Sequence, residues 1–279
     1  MGTSAVFLWR ASPPRLRRAV PVVYLPGLGP HSTGRTPGQR LLQRLEVLGL
    51  ARTFEVWLVG RRSPVRQDAS IAVLAAEHAS AIRSRFEVPV DVIGESTGGS
   101  IALQLAVDHP EVVKRLVLVS AAALLPRQAA EAQENAAGSL REGHPRDAAA
   151  TILATTNKRP IRRRLLKLAG YVLGRLVIGR NDRELLRTID AEDGFDLRSH
   201  LSKVRAPTLL IGGGRDGYYS PELLEQTVAG IPDAEHVDLP RKGHLTAMLD
   251  TAVVRGIRAH LRPDGYRGPR DQRPASPAG

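Results

Sequence analysis

From residue 20 onward the chain alternates short β-branched runs with stretches of helical period, and this rhythm leaves few folds open. A strand that is apolar on both faces must be covered on both, so alternating strands and helices write a mostly parallel sheet with helices above and below it. Residues 20–25 read as a buried strand ending in Pro26-Gly27-Leu28-Gly29, and residues 39–48 as a helix with Leu41, Leu42, Leu45 and Leu48 on one stripe. Residues 54–59 read as the next strand and 68–86 as a long helix with Asp68 as its N-cap. A strand at 90–93, a helix at 98–107 and a strand at 116–119 follow, and an edge strand is expected at 5–9. The expected fold class is α/β, a mostly parallel central sheet flanked by helices.

Between about 121 and 201 the rhythm fails: the stretch is Ala-rich, helical in period and without a strand run, so it reads as a helical excursion from the sheet. Strands resume at 208–211 and 235–239, with helices at 221–228 and 246–260. Residues 262–279, rich in Pro, Gly, Arg and Ser, cannot bury enough apolar area to offset ordering entropy and are expected to be disordered. With 279 residues and no cysteine, the chain can build a sizeable core and has no disulfide, thiolate or Cys-ligated zinc chemistry. No apolar run approaches the ~20 residues that span a bilayer, and the run at 5–9 is shorter than a signal-peptide core of about 7–15 residues, so cytoplasmic residence is expected.

The net charge of +12 is unevenly placed. Residues 1–45 hold seven Arg and no acid, and residues 158–187 hold ten basic against two acidic residues. The remaining segments up to 261 are acidic on balance. A localised basic field suits acidic substrates, an anionic surface or nucleic acid, yet no aromatic residues interleave with Arg159, Arg162, Arg163 and Arg164 as a single-strand binding surface requires. Nucleic acid is therefore disfavoured. Since 35 of the 40 basic residues are Arg along the whole chain, an Arg-rich composition on a solvated face is the simpler account, with peripheral contact to an anionic surface as the alternative.

The sharpest motif is Gly94-Glu95-Ser96-Thr97-Gly98, placed where a strand gives way to a helix, the context a G-x-S-x-G nucleophile elbow requires. A serine hydroxyl needs a base to accept its proton, and the base needs an acid to orient it. Asp216 follows the strand at 208–211, and His244 follows the strand at 235–239, at intervals of 120 and 28 residues along the chain. Loops at the carboxyl ends of parallel strands share one sheet edge, so Ser96, Asp216 and His244 can converge there. The remaining histidines have no metal-ligand spacing, and Gly212-Gly213-Gly214 lacks the residues of a nucleotide loop.

These residues resemble the α/β-hydrolase superfamily over roughly 20–261. The resemblance rests on the elbow, the Ala206-Pro207-Thr208-Leu209-Leu210-Ile211-Gly212 run before Asp216, the Gly243-His244 pair, His109-Pro110-Glu111-Val112-Val113, and the order Ser, Asp, His. It implies a hydrolase domain at 20–261 with a helical cap at about 121–201, which leaves the basic arm at 1–19 and the tail at 262–279 outside it. It also implies an oxyanion hole from the backbone N–H groups of Leu28 and Thr97, although Pro26-Gly27 stands where the family usually has His-Gly. His31 and Ser32 are candidates for the substrate entrance. Glu95 is read as a buried structural residue outside the triad.

The expected activity is serine-dependent cleavage of a small or medium carboxylic ester or thioester, a small-molecule acyl substrate, with no cofactor or metal. Amide, peptide or C–C bond hydrolysis, acyl transfer on the same triad, and non-catalytic ligand binding are the alternatives.

Overall fold

The computed structural model describes residues 6–12, 21–29, 37–61, 65–87, 89–178 and 182–261. The expected arm at 1–19 falls partly, and His31, Ser32 and the tail at 262–279 wholly, outside these residues.

Seven strands form one sheet: β1 (Val6–Arg10), β2 (Pro21–Leu25), β3 (Glu55–Arg61), β4 (Val90–Glu95), β5 (Val113–Val119), β6 (Thr208–Gly213) and β7 (Ala234–Leu239). Their order is β1-β3-β2-β4-β5-β6-β7. All neighbours are parallel except β1 on β3, where Val6 pairs with Arg61 and Arg10 with Trp57. β4 and β6 are buried at every position, as strands covered on both faces must be. The edge strand β7 is nowhere fully buried.

Period-two alternation divides the core into two layers. Val23, Leu25, Val92, Leu116, Leu118 and Leu210 face α3 (Ile71–Arg85) and α4 (Thr97–Asp108). Val22, Ile93, Val117 and Ile211 face the opposite layer, which includes Leu50 of α2 (Leu48–Ala51) and Val253 and Ile257 of α11 (Thr251–His260). Strand order reverses direction between β2 and β4, so the loops after these two strands border the crevice where α/β sheets place ligands.

Two local expectations are corrected, and a third is given its direction. The cap of α3 is Ser70, whose hydroxyl accepts from the Val73 amide; Asp68 is occupied by a two-point pair with Arg66. The stretch expected as one helix from 246 to 260 is α10 (His244–Met248) and α11, with Asp250 capping the second by accepting from the Ala252 amide. In α1 (Pro37–Glu46) the leucine stripe faces outward, Leu41, Leu42 and Leu45 being 57%, 53% and 58% exposed. The helix is anchored instead by buried Gln43, which donates to the Val59 carbonyl, and by Arg44 over the Trp9 ring. Helical period identifies a stripe without choosing which side turns inward.

Between β5 and β6 lie α5 (Arg127–Arg141), α6 (Pro145–Thr155), α7 (Pro160–Val177) and α8 (Arg183–Glu192). They share a small core of Ala136, Ala137, Leu140, Ala148, Ala149, Ile178, Leu185 and Ile189, against which Leu28 packs. α8 ties this insertion to the sheet domain: Glu184 accepts from the Val65 amide at 3.1 Å and Arg187 donates to the Val65 carbonyl at 2.7 Å. The remaining helix, α9 (Pro221–Gly230), packs on β6 and β7.

Candidate active site

Ser96 sits at the turn from β4 into α4 with φ 52° and ψ −124°, a left-handed conformation that costs a non-glycine residue energy and persists only when its surroundings enforce it. They do so by close packing. A Cβ on Gly94 would stand 2.5 Å from the Gly98 carbonyl oxygen, and one on Gly98 would run into the Leu25 carbonyl. The turn is pinned by the Ser96 amide on the Val119 carbonyl at 3.0 Å and the Gly99 amide on the Ser96 carbonyl at 2.7 Å. The hydroxyl is thereby held at the edge of the crevice, only partly buried.

His244 and Asp216 come from loops that are bonded to each other, the Arg215 amide donating to the Lys242 carbonyl at 2.8 Å. His244 Nδ1 lies 2.7 Å from Asp216 Oδ2, and His244 Nε2 lies 2.9 Å from Ser96 Oγ. Asp216 Oδ1 accepts from the Tyr218 and Tyr219 amides at 2.7 and 3.2 Å. A carboxylate accepting at both oxygens can only receive from Nδ1, which sets the proton there and leaves the Nε2 lone pair for the serine hydroxyl. Imidazole and carboxylate are both buried, with side-chain exposures of 5% and 0%, so their interaction is weakly screened. The three residues singled out from the sequence are thus brought together.

Leu28 and Thr97 both line a narrow cavity of about 50 Å³, with Leu25, Val59, Val65, Leu74 and Ile101 supplying apolar wall. Among the described residues neither backbone amide has a hydrogen-bond acceptor. His78 also reaches this cavity, but as a buried core residue whose Nδ1 donates to the Leu74 carbonyl.

Four contributors escape sequence reasoning. The Tyr218 and Tyr219 rings stand 4.9 and 5.9 Å from the imidazole, centroid to centroid, and burial, with the nearby Asp216 and Glu192 charges, pushes both phenols up, so they stay neutral beside it. Thr156, in the turn between α6 and α7, accepts from the His244 amide at 2.9 Å. Glu192, at the end of α8 and fully buried, accepts from Thr97 Oγ1 and Ser100 Oγ at 2.7 Å each and from Gln133 Nε2 at 3.2 Å. Burial pushes its carboxyl up, while those donors pull it down. It holds the first turn of α4, and with it Thr97, which lines the cavity. The only sequence trace of this is a lone acid 95 residues beyond Thr97.

Glu95 lies outside the relay, buried and accepting from the Tyr24 hydroxyl, which also approaches Glu46. Burial and then the Glu46 charge push its carboxyl up to about 8, against the downward pull of Tyr24. The native state therefore binds a proton that the unfolded state releases near 4.5, so this group stabilises fully below that pH and progressively less up to about 8. Glu95→Gln keeps the shape and cannot ionise. It is expected to melt at least about 3 °C above wild type at a pH of about 9, and close to wild type in mild acid. Parallel melting curves across that range would exclude this account.

A family model for the alpha/beta hydrolase fold matches residues 69–251. The pimeloyl-[acyl-carrier protein] methyl ester esterase of Neisseria meningitidis serogroup A is 28% identical over 172 residues, covering 60% of this chain. The match spans 54% of that relative's own length. Among solved structures, MGS-M2, an alpha/beta hydrolase enzyme from a Medee basin deep-sea metagenome library, superposes with a TM-score of 0.70 at 15% identity, covering 90% of this chain and 91% of that one. The enol-lactonase of Burkholderia xenovorans LB400 gives 0.69 at 17% identity, covering 92% and 96%. At such identities the two structures speak for the fold alone.

Proposed function

This chain belongs to the alpha/beta hydrolase family, and we propose that it is a serine hydrolase cleaving a small or medium carboxylic ester or thioester through an acyl-enzyme. The observation that carries the reading is the continuous relay from Asp216 through His244 to a serine on a strained elbow, with spacings of 2.7 and 2.9 Å.

Ser96 Oγ attacks the acyl carbon as its proton passes to His244 Nε2, and the positive imidazole is held against Asp216. The carbonyl π electrons move onto oxygen, which the Leu28 and Thr97 amides stabilise as the negative charge develops. Collapse of the adduct breaks the bond to the alkoxide or thiolate, which takes the proton from Nε2. Water, activated by the same imidazole, then attacks the acyl-serine and releases the acid. The slim apolar cavity beside Leu28 and Thr97 suits a short acyl segment, and an ester as substrate agrees with what the Neisseria relative is named for.

A fluorophosphonate probe is expected to add once, at Ser96, and an ester, thioester and amide panel is expected to show turnover of the first two classes. Folded protein that takes no adduct would instead favour a non-catalytic binder, and amide turnover exceeding ester turnover would reassign the substrate.

A further inference from the structure

α7 presents a face that its own fold leaves unused. It packs inward through Gly170 and Gly174, so closely that a Cβ on Gly170 would stand 2.6 Å from the Ala149 carbonyl and one on Gly174 2.9 Å from Ala149 Cβ, in α6. At about 100° per residue, Ile161, Leu165, Leu168 and Val172 fall on the opposite side of the axis. These four are 75%, 62%, 62% and 61% exposed, a row of large aliphatics about 17 Å long in contact with water.

The margins of the row are cationic. Arg164 and Lys167 border it on one side and Arg162 on the other, all exposed and, among the described residues, none in an ion pair. The helix contains no Asp or Glu over Pro160–Val177. Its N-terminal end continues the basic surface to the loop that carries Asp216, the Lys158 amide donating to the Arg215 carbonyl at 3.2 Å. Arg215 is held below the ordinary guanidinium range by burial and by Arg159, Arg162 and Arg241, so four guanidinium groups crowd there.

The chemistry of the face selects its occupant. A second copy of α7 would bring cationic margins against cationic margins, with no acid on either helix to neutralise them. A single-stranded nucleic acid would meet aliphatics where it needs stacking rings. A surface of acyl chains rimmed by phosphates matches both parts, since aliphatic side chains enter the chain region while Arg and Lys reach back to the head groups. We propose that α7 is a docking face by which this protein lies on an anionic lipid surface, beside the loops that carry Asp216 and His244.

Co-sedimentation with vesicles tests this without turnover and so stands apart from the role given to Ser96. Wild-type protein is expected to pellet with vesicles of equal parts phosphatidylglycerol and phosphatidylcholine, and far less with phosphatidylcholine alone. The exposed double substitution Leu165→Ser with Leu168→Ser is expected to weaken binding by at least about tenfold at unchanged melting temperature. Arg162→Glu with Arg164→Glu is expected to weaken it comparably, and added salt to weaken wild-type binding as well. Failure to bind the mixed vesicles, or equal binding by wild type and the leucine variant, overturns the proposal. So does a dimer in sedimentation velocity that the leucine variant dissolves, which would give the face to a second copy. Binding to polyglutamate with none to vesicles would give it to an acidic protein.

Discussion

Ser96→Ala is expected to lower kcat by about 10⁵ or more while leaving the melting temperature close to wild type. The size follows from how little else could take over. Ser120, the other serine with a positive φ among the described residues, has its hydroxyl on the His244 carbonyl at 3.4 Å. Stability is spared because the Ser96 side chain makes one hydrogen bond, to His244, and is only partly buried. The strain at φ 52° is in the backbone and is common to serine and alanine. Initial rates on the best ester, with thermal melts of both proteins, check the two halves separately. A variant retaining activity within about tenfold of wild type would remove Ser96 from the chemistry. A variant that loses activity and stability together would show that the elbow depends on the hydroxyl for its shape.

The parts of the molecule that could be read from the chain are those where one residue type meets one demand. Val90, Val92, Ile93, Leu116, Val117 and Leu118 are β-branched or aliphatic because both faces of β4 and of the second half of β5 are covered, so periodicity placed β4 to within two residues, and the strand-to-helix turn with it, but started β5 three residues late, where the exposed Lys114 and half-buried Arg115 interrupt the apolar run. Glycines two residues before and after one serine, followed by Asp and His after later strands, likewise follow from local constraint plus the geometry of a parallel sheet. Choices among equivalent local options were not legible. Asp68 and Ser70 are equally good caps by type, and the pairing of Asp68 with Arg66 decides between them. Contacts between the insertion and the sheet domain were silent. Glu192 reaches Thr97 and Ser100, and Thr156 reaches His244, only because the insertion folds back over the sheet edge.

That folding back has a chemical consequence. The elbow helix begins under a buried carboxylate from α8, and the His244 amide is bonded to a carbonyl from the α6–α7 turn, so both partners of the proposed proton transfer are located by the insertion as well as by their own strands. Positional precision of this kind is what converts a serine hydroxyl near an imidazole into a reactive pair.

Asp216→Asn is expected to cost about 10⁴ in kcat at neutral pH, with a binding constant for a product acid that changes little. The two oxygens of Asp216 have different tasks. Oδ1 accepts from the Tyr218 and Tyr219 amides, so an asparagine must place its carbonyl there or leave two buried N–H groups unpaired. Its NH₂ then faces His244 Nδ1, which must accept, and the ring proton moves to Nε2. In that tautomer Nε2 donates to Ser96 Oγ and cannot take its proton, so the relay is intact in shape and reversed in sense. Asp216→Ala removes the orienting group without forcing the wrong tautomer, so it is expected to retain more activity than the asparagine variant at neutral pH, though with a looser imidazole. The ratio of the two variants, measured on one ester at saturating concentration, reads the tautomer directly. An asparagine variant more active than the alanine variant would mean that Asp216 acts by holding the ring in place and that its negative charge and proton acceptance matter little.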